Sequence, residues 1–278
     1  MQTVNNLEAL KEALSSLRKR NESVALVPTM GALHAGHLAL VDCARTLADR
    51  IIVTIFVNPK QFSAGEDFDA YPRDIAGDAE KLRAAGADLV WIPDADLIYP
   101  PGYATSVRVA RLSETLCGPV RPGHFAGVAT IITKLFALIR PDIAVFGEKD
   151  WQQLAIIRRL NTDLNLGVEI IGCPIMREAD GLALSSRNAY LSADERVAAA
   201  TLPKALALAA QAIRAGDDVA QALEQARTKL AQAGFGPIDY LELADEETLA
   251  PLSANAPRAR LFAAAYLGRT RLIDNLEV

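Results

Sequence analysis

Only three of the 278 residues are histidines, and two of them stand three apart in the run His34-Ala35-Gly36-His37. At that spacing both imidazoles share one face of a helix. Gly36 between them allows close backbone approach, and the unsatisfied N–H groups of a first helical turn add positive potential. Imidazoles and amides gathered in this way suit phosphate-type oxygens. Two histidines are also half of a metal site, but no third ligand stands near them in sequence. Lys149, in Gly147-Glu148-Lys149-Asp150, carries a compact ammonium, and Ser185-Ser186-Arg187 combines two hydroxyls with a planar guanidinium fork. Each is a suitable grip on phosphate. Gln61 and Gln153 are neutral amides that offer donor and acceptor together, fitting a ligand with hydroxyls and a carboxylate, and Asn58 is a third such amide close to Gln61. Taken singly, most of these residues have a plain structural reading as a loop lysine, a turn or a surface glutamine; their contexts give them weight.

The elements that must position these groups follow from hydrophobic patterning. Val24–Val27 reads as a buried strand closed by Pro28-Thr29-Met30-Gly31, followed by a helix over 35–48 and a second strand over 51–57. That is one βαβ unit. A helix over 74–85 and a strand over 88–92 repeat the pattern. A helix over 125–139, a strand over 143–146, a helix over 151–160 and a strand over 168–171 complete it. The alternation implies a parallel sheet, with His34 and Lys149 both just past the carboxyl ends of strands, where ligands bind such sheets. Beyond about residue 175 come two Ala-rich helical stretches and strands over 238–243, 260–267 and 271–273. Ser192 and Glu195 have the spacing of a capping box, and Pro203 interrupts or restarts the helix that follows. The fold class expected is α/β: a parallel-sheet nucleotide-binding domain over 1–175, then a smaller α+β domain over 176–278.

Lys and Arg number 29 against 34 Asp and Glu, a formal charge of −5, which argues against a dedicated nucleic-acid binder. The apolar runs reach strand length, short of the ~18 residues a membrane span requires. Residues 1–20 alternate charged and apolar types at helical spacing and lack the apolar core of a signal peptide, so a cytoplasmic protein is expected. Cys43, Cys117 and Cys173 are scattered, with no CxxC or Cys/His spacing and no base beside them, and read as packing residues.

The stretch Pro28-Thr29-Met30-Gly31-Ala32-Leu33-His34-Ala35-Gly36-His37 resembles the HxGH nucleotidyltransferases, and within them the pantothenate synthetase family. Further matches are Phe56-Val57-Asn58-Pro59 with Gln61-Phe62, Tyr71-Pro72-Arg73-Asp74, Arg121-Pro122-Gly123-His124-Phe125, Gly147 to Gln153, and Arg177 to Asn188. The resemblance implies a Rossmann-like domain followed by a lid. It also implies ATP-dependent joining of pantoate to β-alanine, with AMP and diphosphate released through a pantoyl-adenylate. His34, His37, Lys149 and Arg187 are then the catalytic set, and His37 resembles the family's proton donor. Met30, Gly31, Gly36, Gly147, Asp150, Met176, Leu184, Ser185 and Ser186 join those four around ATP, with Gly147 and Asp150 at the ribose and Ser185 to Arg187 on the outer phosphates. Gln61, Gln153 and Asn58 hold pantoate, whereas Gln152 faces elsewhere on its helix. Leu184 departs from the methionine common in the family. Mg²⁺ accompanies ATP without assigned protein ligands, and a homodimer is implied. Arg121 stabilises a loop or approaches a substrate carboxylate, and Lys60 points to solvent. An alternative within the superfold transfers a nucleotidyl group onto a phosphorylated acceptor.

Overall fold

The computed structural model describes residues 1–63 and 65–278. These fall into two compact units, one of Met1–Val109, Arg121–Glu148 and Ile156–Pro174, the other of Ala110–Val120, Lys149–Ala155 and Ile175–Val278. In chain order the first elements are β1 (Gln2–Val4), α1 (Leu7–Lys19), β2 (Val24–Thr29), α2 (Ala35–Arg45), β3 (Arg50–Ile55), α3 (Ile75–Ala84), β4 (Leu89–Trp91) and α4 (Ala95–Ile98). There follow α5 (Cys117–Val120), α6 (His124–Ile139), β5 (Ile143–Gly147), α7 (Trp151–Asp163) and β6 (Glu169–Cys173).

All six strands of the first unit pair in parallel, in the order β1-β4-β3-β2-β5-β6. β2 and β3 are buried along almost their whole length, as a parallel sheet covered on both faces requires. Val27, Val53, Val90 and Val145 from four strands form one cluster with Val41 of α2 and Leu82 of α3. The order reverses at β2, which pairs with β3 on one side and β5 on the other. The carboxyl ends of β2 and β5 therefore form a topological switch point, the usual ligand position in such a sheet. Residues 35–37 follow one of those ends and Gly147 closes the other. α6 meets the turn Pro59–Gln61 at backbone distance: a Cβ on Gly127 would lie 2.1 Å from the Lys60 carbonyl oxygen.

The second unit continues with α8 (Ala193–Ala199), α9 (Thr201–Arg214), α10 (Val219–Gln232), β7 (Phe235–Asp245), β8 (Ala259–Leu267) and β9 (Thr270–Glu277). Its three strands are antiparallel in the order β7-β8-β9. Leu202, Leu206 and Ile213 of α9 and Leu223 and Leu230 of α10 pack with Leu241, Leu261 and Leu272 of the strands into a single core.

The α/β class and the parallel sheet are as the patterning predicts; the sheet has six strands where the patterning gives five, and several elements differ at their ends. Residues 2–4 form a strand paired with β4 where only helical spacing was read. The helix expected over 35–48 stops at Arg45, where Thr46 turns back its Oγ1 onto the Cys43 carbonyl. The two Ala-rich stretches are three helices. The Ser192–Glu195 capping box is present at the start of α8, and the break after it falls at Ala200. Pro203 sits in the first turn of α9, where its missing N–H would have had no intrahelical partner. Among the described residues, no helix is long and apolar enough to cross a membrane.

Candidate functional site

In the first unit, the end of β2 is shaped by a carboxylate that patterning did not single out. Asp78 of α3 is 1% exposed. Its two oxygens accept the backbone N–H groups of Ala32 and Leu33, each at 2.8 Å, and Lys81 Nζ lies 3.5 Å away. Gly31 makes the turn at φ +85°, with its absent Cβ position only 3.1 Å from Asp78 Oδ2. A side chain there would be strained by conformation and crowded by the carboxylate. The available signal was an acidic residue four positions before Leu82, on the buried face of α3.

This turn delivers His34 to the N-cap of α2. His34 Nδ1 accepts the Gly36 N–H at 3.1 Å, and His37 Nδ1 accepts the His34 N–H at 3.3 Å. The rings stack at 4.1 Å between centroids, tilted by 41°. A backbone N–H can only donate, so in this geometry neither Nδ1 carries a proton. With Nδ1 accepting, Nε2 is the ring nitrogen of each imidazole left to carry the hydrogen, and so the one able to act as a donor. The cap therefore sets the tautomer, and the helix dipole adds to the preference for an anion.

Gln61 lies beside Met30, its Nε2 donating to the sulfur at 2.9 Å, while its Oε1 accepts from Asn58 Nδ2 at 3.0 Å. Asn58 differs from its expected place in the pocket. It is 1% exposed, its Nδ2 also donates to the Gly127 carbonyl, and its Oδ1 accepts from Lys60 N and from Tyr99 Oη. With two donors and two acceptors used, its amide orients Gln61 and has no capacity left for a ligand. His124, the remaining histidine, contacts the Gln61 carbonyl through Nδ1 at 2.7 Å and Arg121 Nη1 through Nε2 at 3.0 Å. Arg121 in turn forks onto Glu66 at 2.8 and 2.6 Å. Burial disfavours the Glu66 anion, but the Arg121 bonds outweigh it and hold the carboxyl below its ordinary range. Of the two roles open to Arg121, the structure supports loop stabilisation. The Lys60 side chain is exposed, yet its Nζ lies 5.1 Å from the centres of both the Tyr99 and Tyr103 rings instead of pointing away into solvent.

In the second unit, Lys149 and Asp150 lie in the short turn before α7, Lys149 half-buried and Asp150 exposed. The consecutive glutamines divide their work as their spacing suggests. Gln152 is buried, accepts the Cys117 N–H at 3.0 Å and donates to the Leu112 and Thr115 carbonyls, both at 2.8 Å. Gln153 is half-buried on a different face. Met176 and Leu184 are brought together across a turn by the Leu184 N–H to Met176 carbonyl bond of 2.9 Å. Ser185 caps the turn of residues 186–190 by accepting the Arg187 N–H. Arg196 bonds to Asp180 and Glu178 below this segment and depresses the Asp180 carboxyl. The buried Cys117 thiol is a packing residue wedged between Tyr240 Oη and Arg271. Among the described residues, no three His, Cys, Asp or Glu side chains gather in a way that could hold a metal ion. The sequence reading gave Arg177 no role of its own and passed over Asp274 and Asn275, which anchor these segments; the Arg177–Asp274 and Lys149–Asn275 pairings span 97 and 126 residues and leave no local pattern.

Comparison with known proteins gives one consistent result. The family described as pantoate-beta-alanine ligase matches residues 2–277. Proteins named pantothenate synthetase from Sphingopyxis alaskensis and Rhizorhabdus wittichii are 56% and 58% identical over 278 residues, covering all of this chain and 100% and 99% of theirs. A crystal structure of pantothenate synthetase from Thermus thermophilus superposes with a TM-score of 0.94 at 46% identity, covering 100% of this chain and 99% of that one. The Francisella tularensis pantoate-beta-alanine ligase, crystallised with beta-gamma ATP and beta-alanine, gives 0.84 at 33% identity, over 100% and 97%. With the parallel sheet, the helix-capping histidine pair and this full-length match in agreement, the chain belongs to the pantoate-beta-alanine ligase family.

Proposed function

We propose that the chain condenses pantoate with β-alanine at the expense of ATP, forming pantothenate, AMP and diphosphate through a pantoyl-adenylate held on the enzyme. The observation that carries the reading is the cap geometry of His34 and His37, which sets two Nε2–H donors at the switch point of the sheet. The pantoate carboxylate is already an anion and needs no base. Its attack on the α-phosphorus of ATP expels diphosphate, and the charge that grows on the phosphate oxygens calls for fixed donors and cations. His34 and His37 supply the donors and Lys149 the cation, while Ser185, Ser186 and Arg187 hold the outer phosphates. Met30, Gly31, Gly36, Met176 and Leu184 border the nucleotide, and Gly147 and Asp150 take the ribose hydroxyls. Mg²⁺ accompanying ATP would lower the mutual repulsion of its phosphates, and no protein ligand is assigned to it.

Gln61 and Gln153 orient pantoate through amides that pair with hydroxyl and carboxylate without over-binding the nucleophile. The neutral amine of β-alanine then attacks the acyl carbon, the C–O bond to AMP breaks, and the amine sheds its proton. Residues 176–278 act as the lid that keeps water from the adenylate. Family membership also favours a homodimer in the cytoplasm, which sedimentation tests directly; a monomer at micromolar concentration contradicts it. The reaction itself is tested by measuring AMP with each substrate omitted in turn. AMP must depend on pantoate, β-alanine and ATP together. A stable dinucleotide-like product formed with a phosphorylated acceptor would instead favour nucleotidyl transfer.

A further inference from the structure

Two consecutive residues of β9 hold two segments that the proposed reaction uses for different parts of ATP. Asn275 is 2% exposed. Its Nδ2 donates to the Lys149 carbonyl at 3.0 Å, and its Oδ1 accepts from Arg260 Nη1 at 2.9 Å. The Arg260 guanidinium lies 3.5 Å over the Trp151 ring, and Trp151 Nε1 donates to the Glu246 carbonyl at 2.7 Å. The Lys149 backbone on one side of Asp150 is therefore bound to β9, and the Trp151 side chain on the other is held by Arg260 of β8 and the Glu246 carbonyl just past β7. Asp274 is 3% exposed and receives both Arg177 Nη atoms, at 2.7 and 2.9 Å. Arg177 also donates to the Gly181 carbonyl and pairs its backbone with Ala183, so it fixes the base of the turn that ends in Ser185 to Arg187. Asp274 Oδ1 accepts the Asn275 N–H as well, at 2.8 Å, which ties the two anchors to each other.

We propose that Asp274 and Asn275 are positioning residues, Asn275 setting the Lys149 backbone and Asp274, through Arg177, setting the Ser185 to Arg187 turn. The inference rests on the reading of Lys149 and Arg187 given above. Lys149 is assigned to charge that develops at the α-phosphorus, so its misplacement slows the chemical step. The Ser185 to Arg187 turn grips the outer phosphates, most of whose charge is already present in bound ATP and only a part of which develops as diphosphate leaves, so its misplacement weakens binding more than it slows the step. Neighbouring residues should thus affect different kinetic parameters. A merely structural role would lower stability and affect both parameters in the same way.

Asn275→Asp keeps the size and the acceptor for Arg260 but loses the donor to Lys149. We expect kcat for AMP formation to fall about tenfold, the scale of one buried hydrogen bond, with KM for ATP within about twofold. Asp274→Asn should raise KM for ATP about tenfold and leave kcat within about threefold. Arg260→Lys and Arg177→Lys repeat the comparison from the partner side and must divide in the same way; they decide the matter if either strand variant fails to fold. Equal shifts in both parameters, or wild-type kinetics in folded variants, overturn the proposal. Lys149→Ala serves as the reference. If it is impaired while Asn275→Asp is not, the positioning role alone is wrong; if Lys149→Ala itself is fully active, the catalytic assignment beneath it has failed.

Discussion

Replacing His37 separates its two tasks, capping and catalysis. His37 Nδ1 accepts the His34 N–H at 3.3 Å, and the geometry at the start of α2 makes that bond half of a reciprocal cap. Loss of one cap bond costs about 1 kcal/mol. A domain with the usual ~5–15 kcal/mol of stability stays folded after such a loss, with well under a tenth of the molecules unfolded. Loss of a preorganised donor to transition-state charge costs about 3 kcal/mol, or roughly 10²-fold or more in rate. His37→Ala should therefore lose a few degrees of Tm and at least about 10² in AMP formation. His37→Asn is the discriminating variant, because its Oδ1 can still accept the cap bond while nothing replaces the Nε2 donor. We expect the Tm to recover and the activity to stay low. Calorimetry and a pantoate-dependent AMP assay on the same preparations read both effects. Recovery of turnover along with Tm in His37→Asn would show that the ring is a cap and nothing more.

Gln61→Ala should raise KM for pantoate about tenfold with little change in KM for ATP, measured by initial rates, since a neutral amide held by Asn58 is assigned to that substrate; an effect confined to ATP would contradict it. Gly127→Ala places a Cβ 2.1 Å from the Lys60 carbonyl and should cost about 1–3 kcal/mol by denaturant titration; an unchanged midpoint would mean that α6 and the Asn58 turn separate easily. Glu66 has its carboxyl depressed in the folded state, so its contribution to stability is complete above the ordinary carboxyl range and is lost as pH falls through the depressed value. Glu66→Gln should accordingly destabilise the protein near pH 7 and converge with the parent at low pH in Tm against pH; parallel curves throughout would refute this.

Much of the first unit was readable because its strands are short apolar runs bounded by turns, and a parallel sheet needs no cross-strand pattern to be recognised. The histidine pair was legible for a local reason too: a cap, its helix and its glycine lie within four residues. β1 was hidden because three residues with one buried side chain carry almost no periodicity. The break between α8 and α9 falls at Ala200, whose side chain gives no signal, while Pro203 marked it only to within three residues. Asn58 and Gln61 are both amides in one turn, and spacing cannot tell which of them has its hydrogen bonds filled. That distinction depends on Tyr99 and Gly127, 41 and 69 residues away. Asp78, Asp274 and Asn275 are of the same kind: polar residues buried by distant partners, on elements whose pattern reads as ordinary helix or strand.

The central claim is that a carboxylate oxygen attacks the α-phosphorus, and the most direct measurement follows that oxygen. Pantoate labelled with ¹⁸O in its carboxylate, turned over with ATP and β-alanine, should yield AMP carrying one labelled oxygen, because the adenylate's C–O bond breaks on the carbon side. Mass spectrometry of the nucleotide reads this. Unlabelled AMP with the isotope in diphosphate or inorganic phosphate would show that activation takes place elsewhere on the triphosphate, and the roles given to His34, His37 and Lys149 would have to be abandoned.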